Sequence, residues 1–459
     1  MKKIIALLLA LVMVFALVAC GQSGAEESKA PETSKAPEAS KAPDAPEVTG
    51  TVQGVDYDKG IILVGNTAAT TGAFAAVGVP FNAGLEAALK AYNDAGGFGE
   101  KGLKVEFVHY DDGFDAAQGL TYTKQLVEDD KVFALVGHFG TNTVGATMDY
   151  IKSVGVPTPY FATGISALYG EGLTGKEANY FPVQPIYDGE GRMLFARAVG
   201  SADGNYGLGG TKVGVIATTD DAGSGMLAGI KRQASECSIP VVYQEVDPAA
   251  TDYTAAVSVL MNQGCDVVIL AMNQAPLVTA MNSMRDLGFN AKCITSYVNA
   301  SVATLGALVD SGAVTADRPI YSTSWMDATT EQGLAEYSTF AEVQLAWEAA
   351  KGIDASNSYA LNSYAMAGYV AGQLFIHGLN QLEALGLDLT WENFTVAMES
   401  AAFHIPMGGD IDYANGDRLG VTALSLNTIS LEKNADTGYY ELLTVSPIMG
   451  MDEVWATVG

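Results

Sequence analysis

The chain has 459 residues and a formal charge of −28, from 24 Lys and Arg against 52 Asp and Glu. Residues 1–55 hold five Lys and six Asp or Glu, so the acidity belongs to the remainder. A polyanion would meet no basic footprint there, which argues against nucleic-acid binding and leaves solubility as the plain reading of the charge.

The chain opens with Lys2 and Lys3 and an almost unbroken apolar run from Ile4 to Val18. That run is shorter than the ~20 apolar residues a membrane-spanning helix needs, so residues 1–20 read as a signal peptide. Ala19 before Cys20 and Gly21 after it resemble the lipobox of bacterial lipoproteins. The resemblance implies acylation of Cys20 and anchoring to the outer face of the cell membrane; an ordinary secretory peptide with an incidental cysteine is the alternative. Residues 21–55 repeat a Ser-Lys-Ala-Pro-acid unit at Ser28–Glu32, Ser34–Glu38 and Ser40–Asp44. Such a composition cannot bury enough apolar surface to offset ordering entropy. It predicts a disordered tether with a reach of about 100 Å at ~3.1 Å per residue.

What remains exceeds one core of about 100–200 residues, so two lobes are expected. A β-rich run, Ile61–Val64, leads into a glycine-bounded loop, Asn66–Gly78, and then a helix from Pro80 with apolar residues at helical spacing. The same unit recurs at Leu103–His109, at Val132–Val136 with the loop Gly137–Thr143, and at Pro157–Ala162. A second series follows Tyr187, with strands at Lys212–Ala217, Pro240–Val246, Asp266–Ala271, Lys292–Ser296 and Pro319–Thr323 and helices between the first four. Alternation at this spacing predicts βαβ units and parallel sheets. Beyond Trp325 the chain turns helical (331–352, 357–382, 390–401) and then β-like from Val421 to Val445. These helices should cover the first sheet and these strands rejoin the second. The fold class is therefore α/β: two doubly wound parallel-sheet lobes crossed three times, residues 56–187 plus 325–407 forming the first and 188–324 plus 408–459 the second.

Ligands of open parallel sheets bind at the carboxyl ends of the strands. On the first lobe that edge comprises Thr67–Gly78, Asp111–Asp115, Gly137–Thr143 and Phe161–Ser166. Gly137–Thr141 and Phe161–Gly164 place hydroxyls beside the free N–H groups of a helix start, a chemistry suited to a carboxylate. Those threonines are equally suited to capping their own helices.

Tyr110–Gln118, the Gly137–Thr141 loop, Tyr160–Thr163 and the late turn Gly408–Asp417 together resemble successive motifs of the type I periplasmic binding proteins, specifically the leucine/isoleucine/valine-binding receptors of branched-chain amino-acid ABC transporters. The resemblance runs from about Val55 to the end. It implies a monomeric receptor that closes on a small carboxylate and presents it to an ABC permease, with no cofactor. By position it implies Thr141, Ala162 and Thr163 as the carboxylate grip. The family's acid for the ligand ammonium falls near Tyr297, a tyrosine of the second lobe near Ala222, and a further aromatic near Asn273. A buried ammonium without an anion costs several kcal/mol, so either Asp220 or Asp221 substitutes or the ligand lacks that amine. Phe74, Val77, Tyr160, Phe161, Tyr187, Tyr297 and Trp325 are candidates for an apolar lining, although any one of them also suits ordinary packing.

Enzyme chemistry finds little support. Gly72–Gly78 lacks the Gly-Lys-Ser/Thr of a phosphate loop, and the four histidines show no metal-binding spacing, so neither a catalytic residue nor a metal ligand is assigned. Asp111, Asp112 and Asp115 form an acidic cluster suited to a cation or to acid/base work; the family resemblance implies a structural role instead, capping the helix that begins near Ala116. Cys237, Cys265 and Cys293 permit one bridge or three thiols. A sensory module of the same fold and an extracellular hydrolase are the rival readings.

Overall fold

In the computed structural model the described residues are 50–435 and 438–458. The signal segment, Cys20 and nearly all of the tether lie outside them. Both sheets belong to one compact unit, Gly50–Leu431 with Tyr440–Gly459.

The second-lobe sheet is the more regular. Its strands run in the order Val241–Val246, Val213–Thr218, Val267–Ala271, Lys292–Thr295, Ile320–Ser324, Ala423–Ile429, Leu442–Gly450. The first five are parallel, and the two late strands add antiparallel at one edge. Side chains alternate between the faces with period two. Val215, Ile269 and Ile294 enter the main core, while Ile216, Val268 and Leu270 enter a second cluster on the opposite side. Burial on both faces explains why these strands read as continuous apolar runs.

The first-lobe sheet is built of shorter pieces. Ile61–Ala68 pairs in parallel with Lys104–Asp111 and with Ala134–Leu135. The series continues as two-residue parallel pairs, His138–Phe139 with Phe161–Ala162 and Thr158–Pro159 with Tyr180–Phe181. The runs expected at Val132–Val136 and Pro157–Ala162 are thus each broken, and the backbone shows why. Gly137 and Tyr160 both have φ of +70°, and they sit side by side, with the Gly137 N–H bonded to the Pro159 carbonyl and the His138 N–H to the Tyr160 carbonyl.

Helices Ser363–Leu385 and Trp391–Glu399 cover this sheet, Phe375 and Phe394 closing on Phe133 with ring centroids 6.3 and 5.8 Å away. The chain passes between the sheets three times: after Phe181, after Ser324, and before Ala423. Two expectations shift. The helix expected at Pro80 begins at Ala75, entered through a 3-10 turn at Gly72–Phe74, so Pro80 lies inside it. The helix Val302–Asp310 lies where no element was expected, since its mostly apolar run shows no contrast between faces. Cys237, Cys265 and Cys293 are all free thiols.

Candidate functional site

Strand irregularity in the first lobe sets up the site. Tyr160 holds a left-handed conformation that costs a residue with a Cβ about 1–2 kcal/mol. It is anchored by complete burial of its ring and by its hydroxyl, which accepts from Gln184 Nε2 at 2.8 Å. With Gly137 beside it, it redirects both strands just before they end. Gly140, at φ +93°, then turns the chain into helix Thr141–Val154 and contributes no capping side chain. Phe114 stands against it, 3.0 Å from where a methyl would project. As a result Thr141 and Thr163, from two different strand ends, bring their Oγ1 atoms to 3.1 Å. They are only 4% and 1% exposed. The Tyr187 hydroxyl stands 3.5 Å from Thr163 Oγ1. The first N–H groups of a 14-residue helix open beside these hydroxyls, the ordinary environment of a small anion.

The facing wall comes from the second lobe. Asn273 precedes helix Gln274–Asp286 without capping it, and its side chain, 7% exposed, lines the cavity. Tyr297, on the loop after strand Lys292–Thr295, reaches Gln184 Oε1 at 3.2 Å and the Pro185 carbonyl at 3.3 Å through its hydroxyl. Burial pushes the Tyr187 and Tyr297 phenols above their ordinary range, so both remain neutral donors. Between the walls lies a cavity of about 90 Å³. Its apolar part is formed by Phe74, Val77, Phe81, Phe139, Trp325 and Met326, with Phe74 stacked on Phe114 at 3.9 Å. Apart from the tyrosines, no lining residue among the described residues is ionisable.

Comparison with known proteins decides the family. A family model described as periplasmic binding protein matches residues 62–433. This chain is a type I periplasmic binding protein. It is 26% identical over 265 residues to a Pseudomonas aeruginosa protein named amino acid binding protein, covering 57% of this chain and 64% of that one. It is 26% identical over 245 residues to Leu/Ile/Val-binding protein homolog 1 of Brucella abortus, covering 51% and 60% respectively. The chain therefore spans under two thirds of the length of these curated relatives. Among solved structures, a fatty acid ABC transporter substrate-binding protein from Thermomonospora curvata superposes with a TM-score of 0.70 at 18% identity, covering 88% of this chain and 96% of that one. A solute-binding protein from R. palustris in complex with benzoate gives 0.63 at 18% identity, covering 85% and 98%. A branched-chain amino-acid ABC transporter protein from Thermus thermophilus with bound valine gives 0.67 at 16% identity, covering 86% and 98%.

In this periplasmic binding protein the residues singled out from sequence separate into two groups. Thr141, Ala162, Phe74, Val77, Asn273 and Tyr297 line the cavity, and Thr163 touches it through Thr141. Phe161, Ala222 and Asp221 do not line it. Phe161 is fully buried, edge-on to His138 and Tyr180; Ala222 is fully buried in the core. Asp221 is exposed, its Oδ2 3.2 Å from where a methyl at Gly145 would sit. Asp220 caps its own helix through Gly223 N at 3.0 Å. Asp115 caps the helix at Ala116, Asp112 takes the Thr143 hydroxyl at 2.7 Å, and Asp111 binds the Thr70 and Thr71 backbone.

Sequence reasoning missed Phe81, Phe139, Gln184, Gln274, Met326 and Tyr364 of the lining. It also missed Glu190. That carboxylate is 1% exposed and accepts from Ser296 Oγ at 2.7 Å, Tyr297 N at 2.9 Å and Thr323 Oγ1 at 2.6 Å. Burial pushes its pKa up to about 7 against the pull of these donors. It is the group that holds the Tyr297 loop in place.

Proposed function

We propose that the protein is the extracytoplasmic receptor of an ABC transporter, lipid-anchored through Cys20, which captures a small carboxylate by closing its lobes and hands it to a permease. The observation that carries this reading is the buried pair Thr141 Oγ1 and Thr163 Oγ1, 3.1 Å apart at a helix N-terminus, in a cavity walled by both lobes. Residues 56–187 with 325–407 form the lobe that grips the anion, and residues 188–324 with 408–459 the lobe that closes on it by hinge motion. The threonine hydroxyls have each other and Tyr187 as partners, and neither histidine nor carboxylate lies among the lining residues to act as a base. That arrangement favours holding a ligand over transforming it. The relatives and neighbours named for binding amino acids, a fatty acid or benzoate share a carboxylate as the common group of those ligands.

The test is a thermal-shift and calorimetric screen of the purified protein against small carboxylates. A true ligand at 100 times its Kd stabilises by about 2.7 kcal/mol, and returns chemically unchanged. Turnover of a bound acid, or stabilisation only by compounds without a carboxylate, overturns the reading. Anchoring is tested separately: the wild-type protein should partition with membranes and Cys20→Ala should be released.

A further inference from the structure

A receptor for α-amino acids has to provide for two charges, and only one of them is provided for here. We infer that the ligand of this site is a monocarboxylic acid with an apolar tail and no ammonium group. This rests on the proposed carboxylate grip at Thr141 and Thr163 and narrows the class of molecule that enters it.

Among the described residues no carboxylate lines the cavity; Asp327, next to the lining residue Met326, has its Oδ1 committed to Thr329 N at 2.8 Å and to Thr329 Oγ1 at 2.5 Å. Asp111 and Asp112 are consumed by the Thr70–Phe114 turn and the Thr143 hydroxyl. Asp220 accepts from the Thr218 hydroxyl at 2.7 Å and from the start of its own helix. Asp221 is exposed beside Gly145, one helical turn past Thr141, and does not line the cavity. In the second-lobe wall Glu190 accepts from the Tyr297 N–H, and both its oxygens are occupied by donors of the protein. An ammonium entering this cavity would meet only neutral oxygens and rings. Binding would have to strip its hydration without supplying an anion.

What stands in the second-lobe wall instead is neutral. The Tyr297 hydroxyl spends its proton on Gln184 or the Pro185 carbonyl. The Asn273 amide, more than nine-tenths buried, lines the cavity without capping its helix and without a side-chain hydrogen bond among the described residues. An uncommitted buried amide carries one acceptor and two donors, which suits a ligand hydroxyl, keto oxygen or the second carboxylate oxygen. The remaining space is aromatic: Phe74 stacked on Phe114 with ring centroids 3.9 Å apart, and Phe81, Phe139 and Trp325 beside them. Flat or branched apolar tails are complementary to such a lining.

The experiment is a matched-pair titration of the wild-type protein by calorimetry at pH 7: leucine against 4-methylpentanoate, and phenylalanine against 3-phenylpropanoate, with benzoate alongside. Within the better-binding pair the deaminated acid should bind at least about 100-fold more tightly, the factor expected when a charge is buried without its partner. Equal or tighter binding of the amino acid, abolished by Thr141→Val, overturns this inference while leaving the carboxylate grip intact. Absence of binding by every acid overturns both. Tyr297→Glu supplies the missing anion and should shift preference toward the amino acid of each pair; unaltered preference in a folded variant overturns the assignment of Tyr297 as the discriminating position.

Discussion

The two walls of the cavity are made differently. The first-lobe wall is a backbone device: two strands broken at Gly137 and Tyr160, a helix start, and two small hydroxyls that approach only because the chain was redirected beneath them. The second-lobe wall is a side-chain device, in which Tyr297 and Asn273 project from the loops that follow two regular strands. A backbone device recognises a group that all ligands share, because amides and a helix terminus cannot easily be exchanged by mutation. A side-chain device is where ligand identity can change at little structural cost. Under the proposed function, the difference assigns affinity for the carboxylate to one wall and choice among carboxylates to the other.

Substitutions can break that division, beginning with the largest effect. Glu190 supports the second wall, and its pKa is raised by burial to about 7 from an ordinary value of 4.5. A raised acid binds more protons in the folded than in the unfolded state between those two values. Its contribution to stability is therefore complete below about pH 4.5 and falls as pH rises through 7. The wild type should lose roughly 2–3 kcal/mol more than Glu190→Gln between pH 5 and pH 8, on the order of 1.4 kcal/mol per pKa unit. Arg192 on the same helix is turned to Gln233 and Glu236, and the groups facing Glu190 are Ser296, Tyr297 and Thr323. Parallel urea-unfolding curves for the two proteins across that range would contradict this account.

Thr141→Val should come next. Removing one hydroxyl of the grip forfeits a hydrogen bond to a charged group, about 1.5–3 kcal/mol, so affinity for any carboxylate ligand should drop some tenfold to hundredfold by calorimetry with the melting temperature little changed. A drop for one ligand and not another would erase the distinction between the walls. Asn273→Ala should act the other way round, with a loss of about 1 kcal/mol that varies from ligand to ligand. Uniform loss across the panel would place Asn273 in the general grip. The smallest effect is expected of Asp221→Asn at an exposed position, within about 0.5 kcal/mol; a larger change in affinity would show that this carboxylate reaches the ligand.

Much of the fold was legible. The parallel strands of the second lobe and the late helices were placed within a few residues, because apolar periodicity reports directly on faces that must be buried. The three crossings followed from where helices lacked intervening strands. Thr141, Ala162 and Thr163 were named through the family resemblance, and the structure brings Thr141 and Ala162 to the cavity with Thr163 beside Thr141. Phe81 and Met326 look like core residues in sequence, and whether an aromatic ring faces a cavity or a neighbour depends on elements hundreds of residues apart. Glu190 gave no local sign, since an acid in the first turn of a helix reads as a favourable dipole partner at the surface.

The amino-acid order alone determined which segments become strands and helices, how many lobes they make, and which strand ends carry hydroxyls. These depend on interactions within a few residues. Tertiary structure decided that Thr141 and Thr163 meet, that Phe161 turns into the core while Phe74 faces the cavity, and that no carboxylate lines the cavity among the described residues. Those outcomes depend on distances between elements far apart in the chain, and only packing sets them.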